Sequence, residues 1–267
     1  MLIEKDKVGG TCLHRGCIPT KALLHAAEVA DTARTAPSIG VKTQFDGIDM
    51  PSVTAYREGI VAKKVKGREG LIKARGVTVV AGEGRLASAN SVAVGDDVYF
   101  GTDIILATGS YSRSLPGLEI GGRVRTSEQA LALDEVPGRV LVLGGGVIGV
   151  EFASVWKSFG AEVTIIEALP HLVPNEDEAI SKTRERAFRR RGIAYSLGVR
   201  FQSVAQSAEG VTVTREDGTT HEADYLLVAV GRGPASDGLG FEEAGVALER
   251  GFVTVDERLR TSIPGIW

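Results

Sequence analysis

Cysteine is almost absent from this chain, with two in 267 residues. That is too few for the disulfide framework that staples small secreted domains. A surplus of charge is missing too: 31 basic residues face 34 acidic ones, for a net charge of -3. Without the basic excess that carries nucleic-acid or anionic-membrane binding, neither class of partner is expected. Long hydrophobic runs are also lacking. The longest nearly uncharged apolar stretch, Val140 to Val150, is interrupted by Gly144, Gly145 and Gly146, and no segment reaches the roughly 18 apolar residues of a spanning helix. The opening residues Met1 to Lys7 have no apolar core of the secretory-signal kind, which makes the cytoplasm the default compartment. What remains is globular: 43% hydrophobic and 24% charged residues, with 34 Gly and 9 Pro, short of a low-complexity signature. Such a length suggests about one to two domains.

With no framework to build, the two cysteines are read for chemistry. Cys12 and Cys17 stand in Gly9-Gly10-Thr11-Cys12-Leu13-His14-Arg15-Gly16-Cys17-Ile18-Pro19-Thr20-Lys21, ahead of an Ala/Leu-rich helical pattern from about Ala22 to Ala33. A helix N-terminus favours anions and so favours the thiolate, the nucleophilic form of cysteine. Across regular helix the five-residue spacing exceeds disulfide reach, so either the first turn is distorted or no bridge forms. Gly16 and Pro19 are local reasons for irregularity. A redox-active pair is the favoured reading. Two buried free thiols, or a zinc site with His14 and His25 whose spacing fits no familiar ligand set, are the alternatives. No metal is expected.

Strands and helices alternate along the chain, which indicates an α/β class with a parallel sheet. The clearest unit is the apolar run Arg139 to Leu143, then Gly144-Gly145-Gly146-Val147-Ile148-Gly149, a helical pattern through Phe159, and a second strand from Glu162 to Glu167. A glycine fingerprint between strand and helix, with an acidic residue 23 positions after its first glycine, is a dinucleotide-binding signature. Gly144 would make the tight turn, Gly146 would admit a pyrophosphate at the helix N-terminus, and Gly149 would let helix and strand pack closely. Glu167 can accept hydrogen bonds from a ribose diol and would repel a 2′-phosphate, which favours NAD over NADP. A glycine turn in a fold that binds no nucleotide is the bland alternative.

Elsewhere, Val53 to Arg75 and Ala179 to Arg191 read as helices, the latter ending in a solvated Arg189-Arg190-Arg191 run. Val77 to Val80, Ser91 to Val94 and Asp103 to Ala107 read as strands. Val211 to Thr214 and Glu222 to Val230 flank Asp217-Gly218, a hairpin signal. Gly231-Arg232-Gly233-Pro234 reads as a turn.

Four ordered segments carry a family resemblance: the cysteine segment, Ala107-Thr108-Gly109-Ser110, Gly144-Gly145-Gly146-Val147-Ile148-Gly149-Val150-Glu151 and Val230-Gly231-Arg232-Gly233-Pro234. Over essentially its whole length the chain resembles the flavin-dependent pyridine-nucleotide disulfide oxidoreductases. Within them it is most similar to the dihydrolipoamide dehydrogenase branch. Glutathione reductases typically have Val-Asn-Val between the cysteines and basic residues after the second strand, where this chain has Leu13-His14-Arg15 and Glu167. The resemblance implies two Rossmann-like nucleotide-binding domains: a partial FAD domain over 1–114, an NAD domain over 115–236, and the start of a returning segment over 237–267. It further implies that Cys12 exchanges with a substrate dithiol, that Cys17 lies beside the flavin, and that Lys21 near the flavin pairs with Glu151. On a plainer reading both charges are ordinary helix-surface residues. Glu4 would bind the adenosine ribose of FAD. Gly10, Thr11, Gly84 and Thr108, Gly109 and Ser110 would add FAD contacts, although Gly84 alone reads equally as a simple turn; Gly231 and Arg232 join the cofactor-binding set. Electrons would pass from dihydrolipoamide, carried on a lipoyl domain of a 2-oxo acid dehydrogenase complex, through the cysteines and FAD to NAD.

Departures from the family pattern are expected to matter. The chain starts at the family's second strand, Leu2-Ile3-Glu4, without the first glycine fingerprint, and stops at Thr261-Ser262-Ile263-Pro264-Gly265-Ile266-Trp267. None of His14, His25, His171 or His221 matches the family's C-terminal His-Glu acid/base pair. The expectation is therefore an internal fragment, a truncated gene product or a mis-called reading frame of a homodimeric parent. On that expectation the chain binds NAD, holds FAD poorly and is not a native dimer. A related NAD(P)H-dependent disulfide or mercuric reductase, or a non-catalytic NAD-binding module, are the competing readings.

Overall fold

Short runs of Val, Leu and Ile form the central strands Arg139–Leu143, Glu162–Ile166 and Tyr225–Val228 of the computed structural model, which describes residues 1–267. In chain order the first elements are β1 (Leu2–Glu4), α1 (Gly10–Arg15), α2 (Cys17–Thr35), α3 (Met50–Ala74), β2 (Val79–Ala81), β3 (Arg85–Ser88), β4 (Ser91–Val94) and β5 (Asp97–Phe100). Then come β6 (Ser110–Ser112), β7 (Val124–Thr126), α4 (Ser127–Leu131), β8 (Arg139–Leu143), α5 (Val147–Phe159), β9 (Glu162–Ile166), α6 (Glu178–Arg190) and β10 (Ala194–Ser196). The last are β11 (Phe201–Gln206), β12 (Val211–Arg215), β13 (Thr220–Ala223), β14 (Tyr225–Val228), β15 (Arg232–Pro234), β16 (Leu248–Glu249) and β17 (Phe252–Val253). The chain divides into two compact units, the first made of 1–14, 63–111 and 232–267, the second of 15–62 and 112–231. No helix is long and apolar enough to cross a membrane.

The second unit is built on a parallel sheet of order β10-β9-β8-β14-β7. Its middle strands read as unbroken apolar runs because both faces are covered: β14 is buried throughout and β8 at all but its first residue. One core joins α5 and α6 to the sheet through Phe152, Phe188, Ile165 and Leu227. The other gathers Leu141, Leu143, Ile166 and Leu226 against Val211 and Val213 of the antiparallel β11-β12-β13 sheet. Each such side chain contributes roughly 1.5–3 kcal/mol relative to exposure. Local signals agree with the helices: a capping box between Thr126 and Gln129 opens α4, the Asp177 carboxylate accepts from Ala179 N–H to start α6, and left-handed Gly160 ends α5.

The first unit is assembled from smaller sheets. β1 and β2 pair in parallel, β3-β4-β5 form an antiparallel meander, and β16-β17 form a hairpin. Its core is Leu86, Ile104, Phe241, Val246 and Ile266.

Several elements differ from expectation. α2 begins at Cys17 rather than near Ala22, because Pro19 lies in the first turn, where its missing N–H breaks no helical bond. Glu222 to Val230 is two strands in different sheets. The break is Asp224, whose carboxylate accepts from the N–H groups of Gly138 (2.7 Å) and Arg139 (2.9 Å). Asp103 to Ala107 is extended but makes only an isolated parallel bridge, Ile104 to Ile266, because its backbone is bonded on one side alone, by residues 265–267. Gly233 and its neighbours form strand β15, paired with β6, rather than a bare turn. The arginine run is not simply solvated: Arg191 reaches Asp31 (3.1 Å) and the Ser158 hydroxyl (2.7 Å), and Arg189 reaches the Tyr195 hydroxyl.

Candidate dinucleotide and redox site

At the C-terminal end of β8 the chain turns through Gly144, Gly145 and Gly146 into α5. Gly144 has φ +108°, and a Cβ there would stand 2.3 Å from the Ala229 carbonyl oxygen. A Cβ on Gly149 would stand 1.9 Å from the Gly144 carbonyl oxygen and 3.1 Å from Val142 Cγ1. Backbone cannot yield to such contacts, so both positions require glycine. Gly146 differs, because nothing lies within 4 Å of where its Cβ would be. It is also the N-cap of α5 and supplies no capping side chain, which leaves the amides of Val147 and Ile148 at a helix start that favours negative charge. An open, amide-lined turn fits a pyrophosphate.

Glu167 follows β9 and is buried. Its Oε2 accepts from Gly145 N–H at 2.6 Å and its Oε1 from Leu169 N–H at 2.8 Å. Each oxygen retains acceptor capacity, so the carboxylate fits a ribose diol and opposes a phosphate. Beyond it the chain doubles back: Val173 N–H donates to the Gly145 carbonyl at 2.8 Å, and Leu172 is fully buried. Val173 takes φ +46°, a left-handed conformation that costs a β-branched residue roughly 1–3 kcal/mol.

The unit boundary falls within the cysteine segment, between His14 and Arg15. Cys12 lies in α1 and Cys17 opens α2; both side chains are exposed and neither is in a disulfide, which removes the buried-thiol alternative. Gly16, at φ −137° and ψ −114°, breaks the two helices apart, so the intervening turn is not regular helix. No group of three or more His, Cys, Asp or Glu side chains is placed to hold a metal. One turn into α2, Lys21 Nζ donates to Glu151 Oε1 at 2.5 Å. The helix that begins at a cysteine is thereby tied to the helix that begins at the glycine turn. Further along, the Asp31 carboxylate accepts from Ser158 Oγ at 2.7 Å. Arg15, between the cysteines, pairs with Glu128 of α4 at 3.0 Å.

In the first unit, a cavity of about 510 Å³ is lined by Glu4, Gly84, Leu106 and Thr108 among others. The Glu4 carboxylate accepts from Asp6 N–H at 2.9 Å. A Cβ on Gly84 would sit 3.1 Å from both Ile3 Cγ2 and Val92 Cγ1, so close packing, not merely a turn, is satisfied there. Gly10 and Thr11 open α1, with Gly10 left-handed at φ +59°. Gly109 is left-handed at φ +82°. Ser110 is bonded by Arg232, whose Nε donates to the Ser110 hydroxyl at 2.7 Å. In the second unit the Gly231 carbonyl accepts from Arg113 N–H at 3.0 Å. The cavity walls and the Glu4 carboxylate are compatible with the adenosine end of a flavin nucleotide.

The family profile described as pyridine nucleotide-disulphide oxidoreductase matches residues 1–267, and the chain belongs to this family. It is 41% identical over 276 residues to a dihydrolipoyl dehydrogenase of Chlorobaculum tepidum and 38% identical over 270 residues to one of Chlamydia pneumoniae. Each match takes in 100% of this chain and 58–59% of the relative, so the chain spans about three fifths of the curated relatives' length. Among solved structures, LpdA from Mycobacterium tuberculosis superposes with a TM-score of 0.89 at 30% identity, over 99% of this chain and 60% of that one. The HOCl-induced flavoprotein disulfide reductase RclA from Escherichia coli gives 0.84 at 31%, over 100% and 59%.

Sequence reasoning missed Leu172 and Val173. The flanking Pro170 and Pro174 signal an irregular loop, but no residue-type rule places a valine at positive φ. It also missed the Asp31 contacts, since Asp31 stands in no motif and the Arg189-Arg190-Arg191 run reads as solvated.

Proposed function

We propose that this chain carries the redox-cysteine and dinucleotide-binding parts of an NAD-dependent dihydrolipoyl dehydrogenase, with residues 115–236 as the dinucleotide-binding domain. A dihydrolipoamide thiolate attacks the Cys12 sulfur of a Cys12–Cys17 disulfide, and the Cys17 thiolate leaves. The second substrate thiolate then attacks the mixed disulfide, which releases lipoamide and leaves Cys12 and Cys17 reduced with two electrons gained. When bound, FAD supplies the two-electron relay between that dithiol and NAD. Glu167 would accept hydrogen bonds from the ribose hydroxyls of NAD, the Gly146–Ile148 turn would receive its pyrophosphate, and the Lys21–Glu151 pair holds a fixed charge pair between α2 and α5. The carrying observation is that 2.5 Å pair, because it joins the elements that bear Cys17 and the glycine turn. The natural partner on this reading is a lipoyl domain of a 2-oxo acid dehydrogenase complex, in the cytoplasm.

The test is a visible spectrum of the purified chain after loading with FAD and desalting, followed by anaerobic NADH. A retained flavin peak with a long-wavelength thiolate-to-flavin band supports the reading. A colourless protein that still binds NADH reduces it to a dinucleotide-binding module. The likeness to RclA favours a second reading, reduction of another disulfide by NAD(P)H, and turnover with a panel of disulfides but not with dihydrolipoamide would select it.

A further inference from the structure

We infer that residues Glu167 to Val173 form a clasp around Gly145, and that Leu172 and Val173 are positioning residues for the pyrophosphate-binding turn; this rests on the dinucleotide reading above. Both polar groups of the middle glycine are captured from the same loop. Its N–H donates to Glu167 Oε2 at 2.6 Å and its C=O accepts from Val173 N–H at 2.8 Å. The orientation of the peptide units on either side of Gly145 is thereby set, and the next amides in the chain are those of Gly146 and Val147, where the turn opens to solvent.

The third side of the clasp is apolar. A Cβ on Gly145 would lie 2.6 Å from Leu172 Cδ2 and 3.3 Å from Glu167 Oε2. Unlike Gly144, Gly145 has no positive φ, so what demands glycine here is Leu172 rather than backbone conformation. Leu172 is fully buried and has no solvent to swing into.

The loop keeps its shape at a conformational cost, since Val173 is held at φ +46°. Strain of this kind persists where surroundings over-determine it. Here the determinants are visible: the Val173 carbonyl accepts from Glu176 N–H at 3.0 Å and from Ser181 Oγ at 3.3 Å, while Leu172 N–H donates to Glu185 Oε1 at 3.1 Å. Glu176, just before α6, and Ser181 and Glu185 within it thus anchor the clasp. The same carboxylate that faces a ribose also holds the pyrophosphate turn, so the two halves of the site are mechanically one.

The deciding experiment is a double-mutant cycle on the full chain, read as NADH Kd by fluorescence with the thermal midpoint measured in parallel. Gly145→Ala is expected to raise Kd about tenfold, and the same substitution added to Leu172→Ala to raise it less than about threefold. Additive effects on Kd, or midpoints that fall with Kd unchanged, overturn the clasp. Hydrogen exchange on the unaltered, NADH-free chain needs no variant to fold. Gly145 and Val173 amides exchanging as slowly as those of β8 support the clasp, and fast exchange at either overturns it. An unaltered chain that binds no NADH overturns the dinucleotide reading and the clasp's role together, whereas binding with an additive cycle overturns the clasp alone.

Discussion

The two units present their candidate nucleotide contacts in opposite ways. In the second, the binding turn hangs from the buried centre of a five-stranded parallel sheet, and its glycines are dictated by backbone contacts of 1.9 Å and 2.3 Å that any Cβ would make. In the first, the candidate contacts are spread over short strands around a cavity of about 510 Å³. Ile105 is 76% and Phe100 75% exposed there. Apolar side chains left in water contribute nothing to folding, so the first unit is held by a core of five buried residues. A turn whose shape is enforced by buried backbone needs no ligand to form, whereas the first unit's cavity mixes core side chains such as Leu86, Ile104 and Phe241 with the exposed Ile105 and Phe100.

The largest expected effect probes the cores directly. Phe152→Ala removes a side chain only 1% exposed and is expected to cost about 3–5 kcal/mol, whereas Leu86→Ala in the smaller core should fall near 2 kcal/mol. Urea denaturation followed at each site separates them, and equal costs would erase the contrast. Next in size is Gly149→Ala. Its new methyl meets a carbonyl oxygen and must push α5 off β8, so NADH affinity should fall on the order of a hundredfold, measured by titration. Retained affinity would mean that the turn is more pliant than its contacts imply.

A smaller effect sharpens the chemistry of the site. Glu167→Gln should weaken NADH about tenfold without any gain for NADPH. The amide keeps one acceptor oxygen but must turn its NH2 group toward a backbone donor, Gly145 or Leu169. Competition titrations with the two dinucleotides read this out. A switch of preference to NADPH would show that charge repulsion at Glu167 acts alone, without the turn geometry.

How much of this was legible in the sequence follows the same division. β8, the glycine turn, α5 and Glu167 are local in sequence, and each obeys a spacing rule with a physical cause, so their positions follow from residue order. The Lys21–Glu151 pair spans 130 residues and was reached through family resemblance rather than pattern. What escaped was set by tertiary context. Asp224 breaks an apolar run because two backbone amides from the start of β8 need an acceptor. Asp103 to Ala107 has a strand's composition but a backbone bonded on one side only. Val173 adopts a conformation its side chain disfavours because hydrogen bonds from Glu176 and Ser181 hold it there.

The smallest effect lies at the first residue of β14, an interior strand of the parallel sheet, and carries a sign. Tyr225 ends above the ordinary tyrosine value because burial disfavours the phenolate, and the hydroxyl's hydrogen bond to Glu135 at 3.0 Å acts in the same direction, while Arg123 and Arg125 oppose it. A folded pKa raised above the unfolded one gives stability that is complete below about pH 10 and drains as pH climbs through the folded value. Tyr225→Phe removes the hydroxyl and is expected to cost about 1 kcal/mol at pH 8. That gap should narrow above pH 10, where the unaltered chain loses stability through ionisation of its unfolded tyrosine and the phenylalanine variant does not. Urea midpoints at pH 8 and at alkaline pH decide the matter. A gap that widened with pH would mean that Arg123 and Arg125 stabilise the phenolate more than burial opposes it.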